Sequence, residues 1–193
     1  MALDSLVKLI ADLLNVSRIE SGRFAYNKTK LDIVSLVKNI AAEFTHTAKT
    51  KNLIFKLNFP KDKEIFILAD KEKLFSALED IFENAFLYTS KGSVTATIIN
   101  RKKGVTLEIE DTGMGIPKDQ LPFIFGKFFR AKNVVKKQIQ GTGLGLYLAK
   151  TILNAQEAKI ELRSAPDSGT TVSMTFPHFE ESRKIQVTGS KEQ

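Results

Sequence analysis

The chain carries the stretch Asp111-Thr112-Gly113-Met114-Gly115-Ile116-Pro117 directly after residues 105–110, in which apolar and polar residues alternate. By the period of two of a β-strand, Asp111 is the next member of the row that faces inward. A buried carboxylate without hydrogen-bond donors is costly, so the fold must supply donors or leave a cavity for a ligand that supplies them. A simpler interpretation is that Asp111 only caps the turn at Thr112-Gly113.

The glycines of this stretch favour the ligand interpretation. Gly115, the second of them, lets the backbone approach a flat ring closely, and Pro117 fixes the exit of the chain. The exocyclic amine of adenine is a donor of the kind that a buried Asp111 needs. The stretch therefore predicts a purine-binding cavity at the end of the strand.

A polar line is predicted on the helix that Asp70 opens. Asp80, Asn84 and Tyr88 are spaced at i, i+4 and i+8, so their side chains share one side of that helix. The amide oxygen of Asn84 suits Mg²⁺, which takes few protein oxygens and keeps waters and substrate phosphates as its other ligands. The alternative is an asparagine on a solvated helix face.

A glycine-rich stretch, Gly141-Thr142-Gly143-Leu144-Gly145-Leu146, opens a helix predicted to run to about Gln156. The unpaired N–H groups of a helix N-terminus bind polyphosphates through hydrogen bonds and the helix dipole. The stretch departs from the dinucleotide fingerprint, because Leu146 stands where a third glycine is required. It also lacks the Lys-Ser/Thr pair of a P-loop. Tight helix packing is the alternative role for the glycines.

Hydrophobic periodicity predicts one globular domain with an N-terminal amphipathic helix. That helix begins without a lead-in, so we expect that the chain has been cut from something longer; a natural start capped at Asp4 is the alternative. A short helix and a basic, aromatic loop are predicted between Pro117 and Gln140. The other predicted elements are the N-terminal helix to about residue 22, a helix at 32–49 capped by Asp32, strands at 53–59 and 64–68, a hairpin of strands near 94–98 and 105–110, and strands at 159–164 and 170–176.

Composition narrows the class of protein. The chain has 193 residues, and its 29 Lys and Arg against 22 Asp and Glu give a net charge of +7, which suits nucleic acid, acidic membranes or polyphosphates alike. The absence of cysteine excludes disulfides and a thiolate zinc site, and the two isolated histidines argue against a histidine metal cluster. No apolar run approaches the roughly 20 residues of a membrane helix. We therefore expect a soluble, cytoplasmic chain.

Four stretches, in this order, resemble the N, G1, F and G2 boxes of sensor histidine kinases. Residues 9–22 also resemble the end of the second helix of that family's dimerisation and phosphotransfer domain. The resemblance implies an ATP-binding catalytic domain of the GHKL type, a two-layer α/β sandwich in which a mixed sheet of about five strands backs three helices. The boxes are Asp80-Ile81-Phe82-Glu83-Asn84-Ala85, residues 111–117, Leu121-Pro122-Phe123-Ile124-Phe125-Gly126-Lys127-Phe128-Phe129-Arg130, and residues 141–146.

The resemblance also implies roles for single residues. Asn84 would bind Mg²⁺, and Asp111 would read the adenine amine with the help of Thr171. Residues 125–140 would form a mobile lid in which Arg130 offsets the charge of the triphosphate. Catalytic roles fall to Asn84, Asp80 and Arg130. The expected ATP contacts are Asn84, Tyr88, Asp111, Gly113, Gly115, Ile116, Arg130, Gly141, Thr142, Gly143, Leu144, Gly145, Leu146 and Thr171.

The chain departs from the family pattern at three points. Asp80 stands where the family has asparagine, so it would add a metal contact or repel the triphosphate. Leu87 stands where a basic residue is common, which removes one phosphate contact. The phosphoacceptor helix is absent, since neither His46 nor His178 resembles its motif.

These observations predict the catalytic portion of a sensor histidine kinase. Residues 1–22 would end the dimerisation helix, 23–178 would form the ATP-binding domain, and 179–193 a polar tail. The expected partners are ATP with Mg²⁺, the phosphoacceptor helix of the full-length kinase, a response regulator and a second copy through the N-terminal helix, but no nucleic acid. The alternatives are an ATPase of the gyrase or mismatch-repair kind, with Asp80 activating water, and a non-catalytic nucleic-acid-binding domain.

Overall fold

The computed structural model describes residues 2–60, 64–136 and 141–179, so almost all of the predicted tail lies outside the described residues. The elements, in chain order, are α1 (Ala2–Glu20), β1 (Thr29–Asp32), α2 (Ile33–Thr50), β2 (Ile54–Asn58), β3 (Phe66–Ala69), α3 (Lys71–Tyr88), β4 (Ser93–Arg101), β5 (Gly104–Asp111), a 3-10 helix (Lys118–Phe123), α4 (Lys132–Lys136), α5 (Gly145–Ala155), β6 (Lys159–Ser164) and β7 (Thr170–Phe176).

Aspartates start two of the helices. The Asp32 carboxylate accepts a hydrogen bond from the Val34 N–H at 3.1 Å, and the Asp70 carboxylate accepts one from the Lys73 N–H at 3.0 Å. Each bond satisfies a donor that the first turn of a helix leaves unpaired. The predicted starts of α2 and α3 are confirmed.

Five strands form one mixed sheet in the order β2-β4-β5-β7-β6. β2 runs parallel to β4, and the other neighbours are antiparallel, which confirms the predicted mixed sheet and the hairpin of β4 and β5. The strands predicted at 53–59 and 64–68 are both present but belong to different sheets, because β3 pairs with β1. β1 itself was not predicted, since its four residues show no alternation of buried and exposed positions.

One face of the large sheet packs against α2, α3 and α5. The apolar rows of β4, β5 and β7 join the buried faces of these helices in a single core. Phenylalanines fill its centre: Phe82 is fully buried, stacks on Phe44 at 5.5 Å between ring centroids and meets Phe55 edge-on at 6.3 Å. The molecule is therefore the two-layer α/β sandwich expected from the sequence.

The N-terminal helix lies against α5. Val16 of α1 packs on Leu144 and Leu148, with Leu9 and Ile19 at the edges of this small cluster. The opposite side of α1 is exposed, and its exposed large apolar residues are Leu6, Val7, Ile10, Leu13 and Leu14. Among the described residues, no helix combines the length and the apolar character that a membrane crossing requires.

Candidate functional site

A cavity of about 900 Å³ opens beside the end of β5, between α3, α5 and the segment that follows the 3-10 helix. Its volume lies in the range of nucleotide and cofactor sites. Twelve of the predicted site residues line it: Asp80, Asn84, Tyr88, Asp111, Gly115, Ile116, Arg130, Gly141, Thr142, Gly143, Gly145 and Leu146. Gly113, Leu144 and Thr171 do not.

Asp111 is the last residue of β5, and it lies at the cavity with only 8% of its surface exposed. The Gly113 N–H donates to its carboxylate at 2.8 Å. Burial raises the pKa of Asp111 to about 6, although hydrogen bonds to Gly113, the Thr170 backbone and the Thr89 side chain oppose the rise. A carboxylate this short of water is a strong acceptor for a ligand amine.

The register of β7 corrects the prediction for Thr171. Thr170 is opposite Asp111 in the antiparallel pair, whereas Thr171 is opposite Glu110. Because neighbouring side chains of a strand point to opposite faces, Thr170 lines the cavity and Thr171 lies on the other face of the sheet. The sequence contained the signal, since Thr170 continues the buried row of Val172.

Gly115 also has a structural role that its sequence pattern does not predict. Its φ is +60°, and a Cβ at this position would lie 1.8 Å from the carbonyl oxygen of Ala165. The space that a side chain would need is therefore filled by the turn between β6 and β7. Gly113 acts on the site indirectly, through its N–H donated to Asp111.

The polar line on α3 faces the cavity as predicted, and its first member is already paired. The ammonium of Lys8, on α1, lies 3.0 Å from Oδ1 of Asp80 and also contacts Glu83. Burial raises the pKa of Asp80, and the charge of Lys8 opposes the rise. Lys8 was not predicted as a site residue, because nothing local in the sequence indicates a contact between residues 8 and 80.

The glycine-rich stretch forms another part of the cavity wall and meets the polar line where Gly145 lies against Asp80. Leu144 is fully buried against α1, so it supports the loop from behind instead of facing the cavity. The Thr142 hydroxyl donates to Asp12 of α1 at 3.1 Å and accepts from the Leu144 N–H at 3.2 Å. Within the part of the chain that the structure describes, no side chain caps the first turn of α5, which leaves its N–H groups for a ligand.

The predicted lid, residues 125–140, contains a short helix near its centre where a loop was predicted. Residues 132–136 form α4, because the Lys132 N–H donates to the buried Gln120 side chain at 2.8 Å and Asn133 donates to the Gly115 carbonyl at 2.8 Å. Arg130 lines the cavity, and its charge opposes the rise that burial causes in the pKa of Tyr88. Residues 137–140 of the predicted lid lie outside the described residues.

The oxygen atoms at the cavity suit a magnesium ion that is bound jointly by the protein and by phosphate. Among residues 2–60, 64–136 and 141–179 there is no group of three or more His, Cys, Asp or Glu side chains able to hold a metal. An ion at this site would depend on the Asn84 oxygen, on water and on oxygens of the substrate. That is the usual situation of Mg²⁺ in phosphoryl-transfer enzymes.

A sequence profile of the family described as "Histidine kinase-, DNA gyrase B-, and HSP90-like ATPase" matches residues 69–180, more than half of the chain. The chain belongs to this ATPase family. The sensor histidine kinase WalK of Bacillus subtilis is 31% identical over 181 residues, which cover 92% of this chain and 29% of WalK. The adaptive-response sensory kinase SasA of Microcystis aeruginosa is 32% identical over 174 residues, covering 89% of this chain and 44% of SasA.

Two solved structures have the same fold. Full-length ShkA in complex with AMPPNP aligns with a TM-score of 0.78 at 24% identity, covering 91% of this chain and 36% of ShkA. The histidine kinase AdeS of Acinetobacter baumannii aligns with a TM-score of 0.74 at 20% identity, covering 92% of this chain and 81% of AdeS. The resemblance to sensor histidine kinases is confirmed, and the gyrase-type alternative is not favoured. This chain spans less than half the length of WalK and of SasA.

Proposed function

We propose that the chain is the catalytic, ATP-binding portion of a sensor histidine kinase and belongs to the cytoplasmic part of that kinase. Residues 1–22 are the end of the dimerisation helix, 23–178 the catalytic domain and 179–193 a polar tail. The observation that supports this proposal best is the buried carboxylate of Asp111 at the cavity wall, beside a helix N-terminus that has open N–H groups. The two features match the amine of adenine at one end of ATP and the phosphates at the other.

In this proposal the chain works by placement and charge neutralisation. Asp111 accepts the adenine amine, and residues 141–145 hold the phosphates at the start of α5. Asn84 holds Mg²⁺, which would neutralise charge that develops on the transferred phosphate. Arg130 contributes further positive charge from the cavity wall. The nucleophile is a histidine of the full-length kinase that this chain does not contain, so the chain alone binds ATP without autophosphorylation.

The proposed partners follow from the same assignment. The phosphoacceptor helix delivers its histidine to the cavity, and a response regulator then receives the phosphoryl group. The exposed apolar stripe of α1, which includes Leu6 and Ile10, fits a homodimeric helix bundle. ATP, and not nucleic acid, is the proposed anionic ligand of this basic chain.

Asn84→Ala tests the proposed magnesium site. We expect wild type to bind ATP more tightly with Mg²⁺ than without it by about tenfold or more, the scale of one charged contact of about 1.5–3 kcal/mol. Asn84→Ala should bind with the same affinity in both conditions. Isothermal titration calorimetry with ATP, in MgCl₂ or EDTA, measures the difference. Asn154→Ala, an exposed asparagine at the far end of α5, is the matched control and should behave as wild type.

Two results would contradict the proposal in different ways. Failure of wild type to bind ATP at all would remove the proposed function. A magnesium dependence that survives in Asn84→Ala would leave ATP binding in place and would assign the metal to other groups.

A further inference from the structure

Lys8 is the only lysine of α1, and it lines the cavity. Its ammonium lies 3.0 Å from Oδ1 of Asp80 and contacts Oε2 of Glu83. The Asp80 carboxylate in turn lies against the start of α5, because a Cβ on Gly145 would be 3.4 Å from its Cγ. The lysine is thus held by a carboxylate that borders the glycine-rich stretch.

The position of Lys8 along the cavity can be measured on α3. Tyr88 marks the Asp111 end, since its carbonyl accepts a hydrogen bond from the Met114 N–H at 3.3 Å. Asp80 precedes Tyr88 by eight residues, which is about 12 Å along the helix axis at ~1.5 Å per residue. Asn84 lies between them. Lys8 therefore lies about 12 Å along α3 from the Asp111 end of the cavity.

The local charges explain why a cation is needed there. Asp80 is a carboxylate on the cavity side of α3, and Leu87 of the same helix is apolar. Asp12, Glu79 and Glu83 add negative charge on the same side, and burial raises the pKa of Asp12 and of Glu79. A triphosphate entering this region would meet like charge on α3, and Lys8 is the ammonium that offsets it.

We propose that Lys8 is a phosphate-binding residue, supplied by α1, that contacts the terminal phosphate of a nucleoside triphosphate. The inference rests on the proposed function, because it requires a nucleotide whose base lies at Asp111. In the nucleotide-free molecule Lys8 pairs with Asp80 and Glu83. In the complex its ammonium bridges the Asp80 carboxylate and the terminal phosphate. The consequence is a preference for ATP over ADP that depends on a residue outside the catalytic domain.

The test compares Mg·ATP with Mg·ADP for wild type and four variants by calorimetry at one pH and salt concentration. We expect Lys8→Met to weaken ATP about tenfold, the loss of one charge-assisted contact, and to change ADP less than about twofold. Lys8→Arg should keep the preference for ATP, since it keeps the charge. Asp80→Asn in the Lys8→Met background should restore only part of the ATP affinity, because it removes the uncompensated carboxylate but cannot replace the contact of the ammonium with the phosphate.

Glu20→Gln is the matched control. Glu20 of α1 forms an ion pair with Lys127, and neither residue lines the cavity. The loss of Glu20 tests the docking of α1 without changing a residue of the site. It should leave the ratio of ATP to ADP affinity unchanged. If Glu20→Gln lowers that ratio as much as Lys8→Met does, the effect comes from helix docking and the proposal is overturned.

The other possible results also test the role of Lys8. Equal losses for ATP and ADP in Lys8→Met, or no loss for either, would overturn the role of Lys8 and leave the proposed function intact. If wild type bound neither nucleotide, both proposals would fail together. If Lys8→Met does not fold, the single variant Asp80→Asn tests the proposal instead. It frees Lys8 from its ion pair and should strengthen ATP binding relative to ADP binding. An unchanged ratio of ATP to ADP affinity would overturn the proposal.

Discussion

Asp111→Asn is expected to weaken ATP binding strongly and, at the same time, to stabilise the nucleotide-free protein. An asparagine side chain can accept from the Gly113 N–H with its oxygen, which turns its NH₂ group toward the adenine amine. Two donors then face each other where a donor and an acceptor are required. We expect ATP affinity to fall about a hundredfold, because a buried polar group loses its partner.

The gain in stability follows from the raised pKa of Asp111. Burial moves this pKa from 3.8 to about 6. At neutral pH the carboxylate is ionised in both states, but the folded protein binds a proton there more tightly than the unfolded chain does. The favourable contribution of the protonated form is complete below about pH 4 and disappears as the pH rises through about 6. At ~1.36 kcal/mol per pKa unit, the neutral variant gains at most about 3 kcal/mol above that pH.

Urea denaturation from pH 4 to 8, together with ATP titration at pH 7.5, measures both effects. The difference in free energy of unfolding between Asp111→Asn and wild type should be small near pH 4 and should grow to a plateau above pH 7. Glu110→Gln makes the same change of charge at the neighbouring, exposed position and is the control. ATP binding by Asp111→Asn within a factor of about three of wild type would refute the adenine assignment.

Gly115→Ala is expected to produce a large loss of stability for a single added methyl group. Its backbone has φ +60°, a region that costs a non-glycine residue about 1–3 kcal/mol. The new Cβ would also lie 1.8 Å from the Ala165 carbonyl oxygen, so the loop after β5 must separate from the turn between β6 and β7. We expect a loss of about 3 kcal/mol or more in the free energy of unfolding, with weaker ATP binding because Ile116 moves with the loop.

Gly141→Ala is the matched control for this prediction. A Cβ on Gly141 meets no atom of the described residues within 4 Å, and the φ of Gly141 lies outside the left-handed region. Its free energy of unfolding should stay within about 0.5 kcal/mol of wild type. Denaturation curves of the two alanine variants that coincide would show that the packing of Gly115 does not limit stability.

Local signals explain why much of the molecule could be predicted from sequence. The caps at Asp32 and Asp70, the alternation that buries Asp111 and the polar line through Asn84 each depend on residues within a few positions of one another. Their geometry is fixed by the period of a helix or a strand. Predictions of this kind located most of the cavity wall.

Most of what the sequence did not predict involves partners that are distant along the chain. Nothing near β2 indicates that it pairs in parallel with β4, and β1 is recognisable only from its pairing with β3. Thr171 was assigned from the family pattern, whereas the register of β7 with β5 selects Thr170. The ion pair of Lys8 with Asp80 joins elements more than seventy residues apart, so only the folded structure places it at the site.

The contact between Gly115 and Ala165, with that of Gly169 on the Asp111 carbonyl, bears on how the protein is made. These segments meet only when the final pair of strands has been added to the sheet. On the ribosome, a nascent chain that ends before β6 holds every residue of the polar line and of the glycine-rich stretch, yet its base pocket lacks one side. Under the proposed function, the base pocket is consequently complete only after β6 and β7 have joined the sheet.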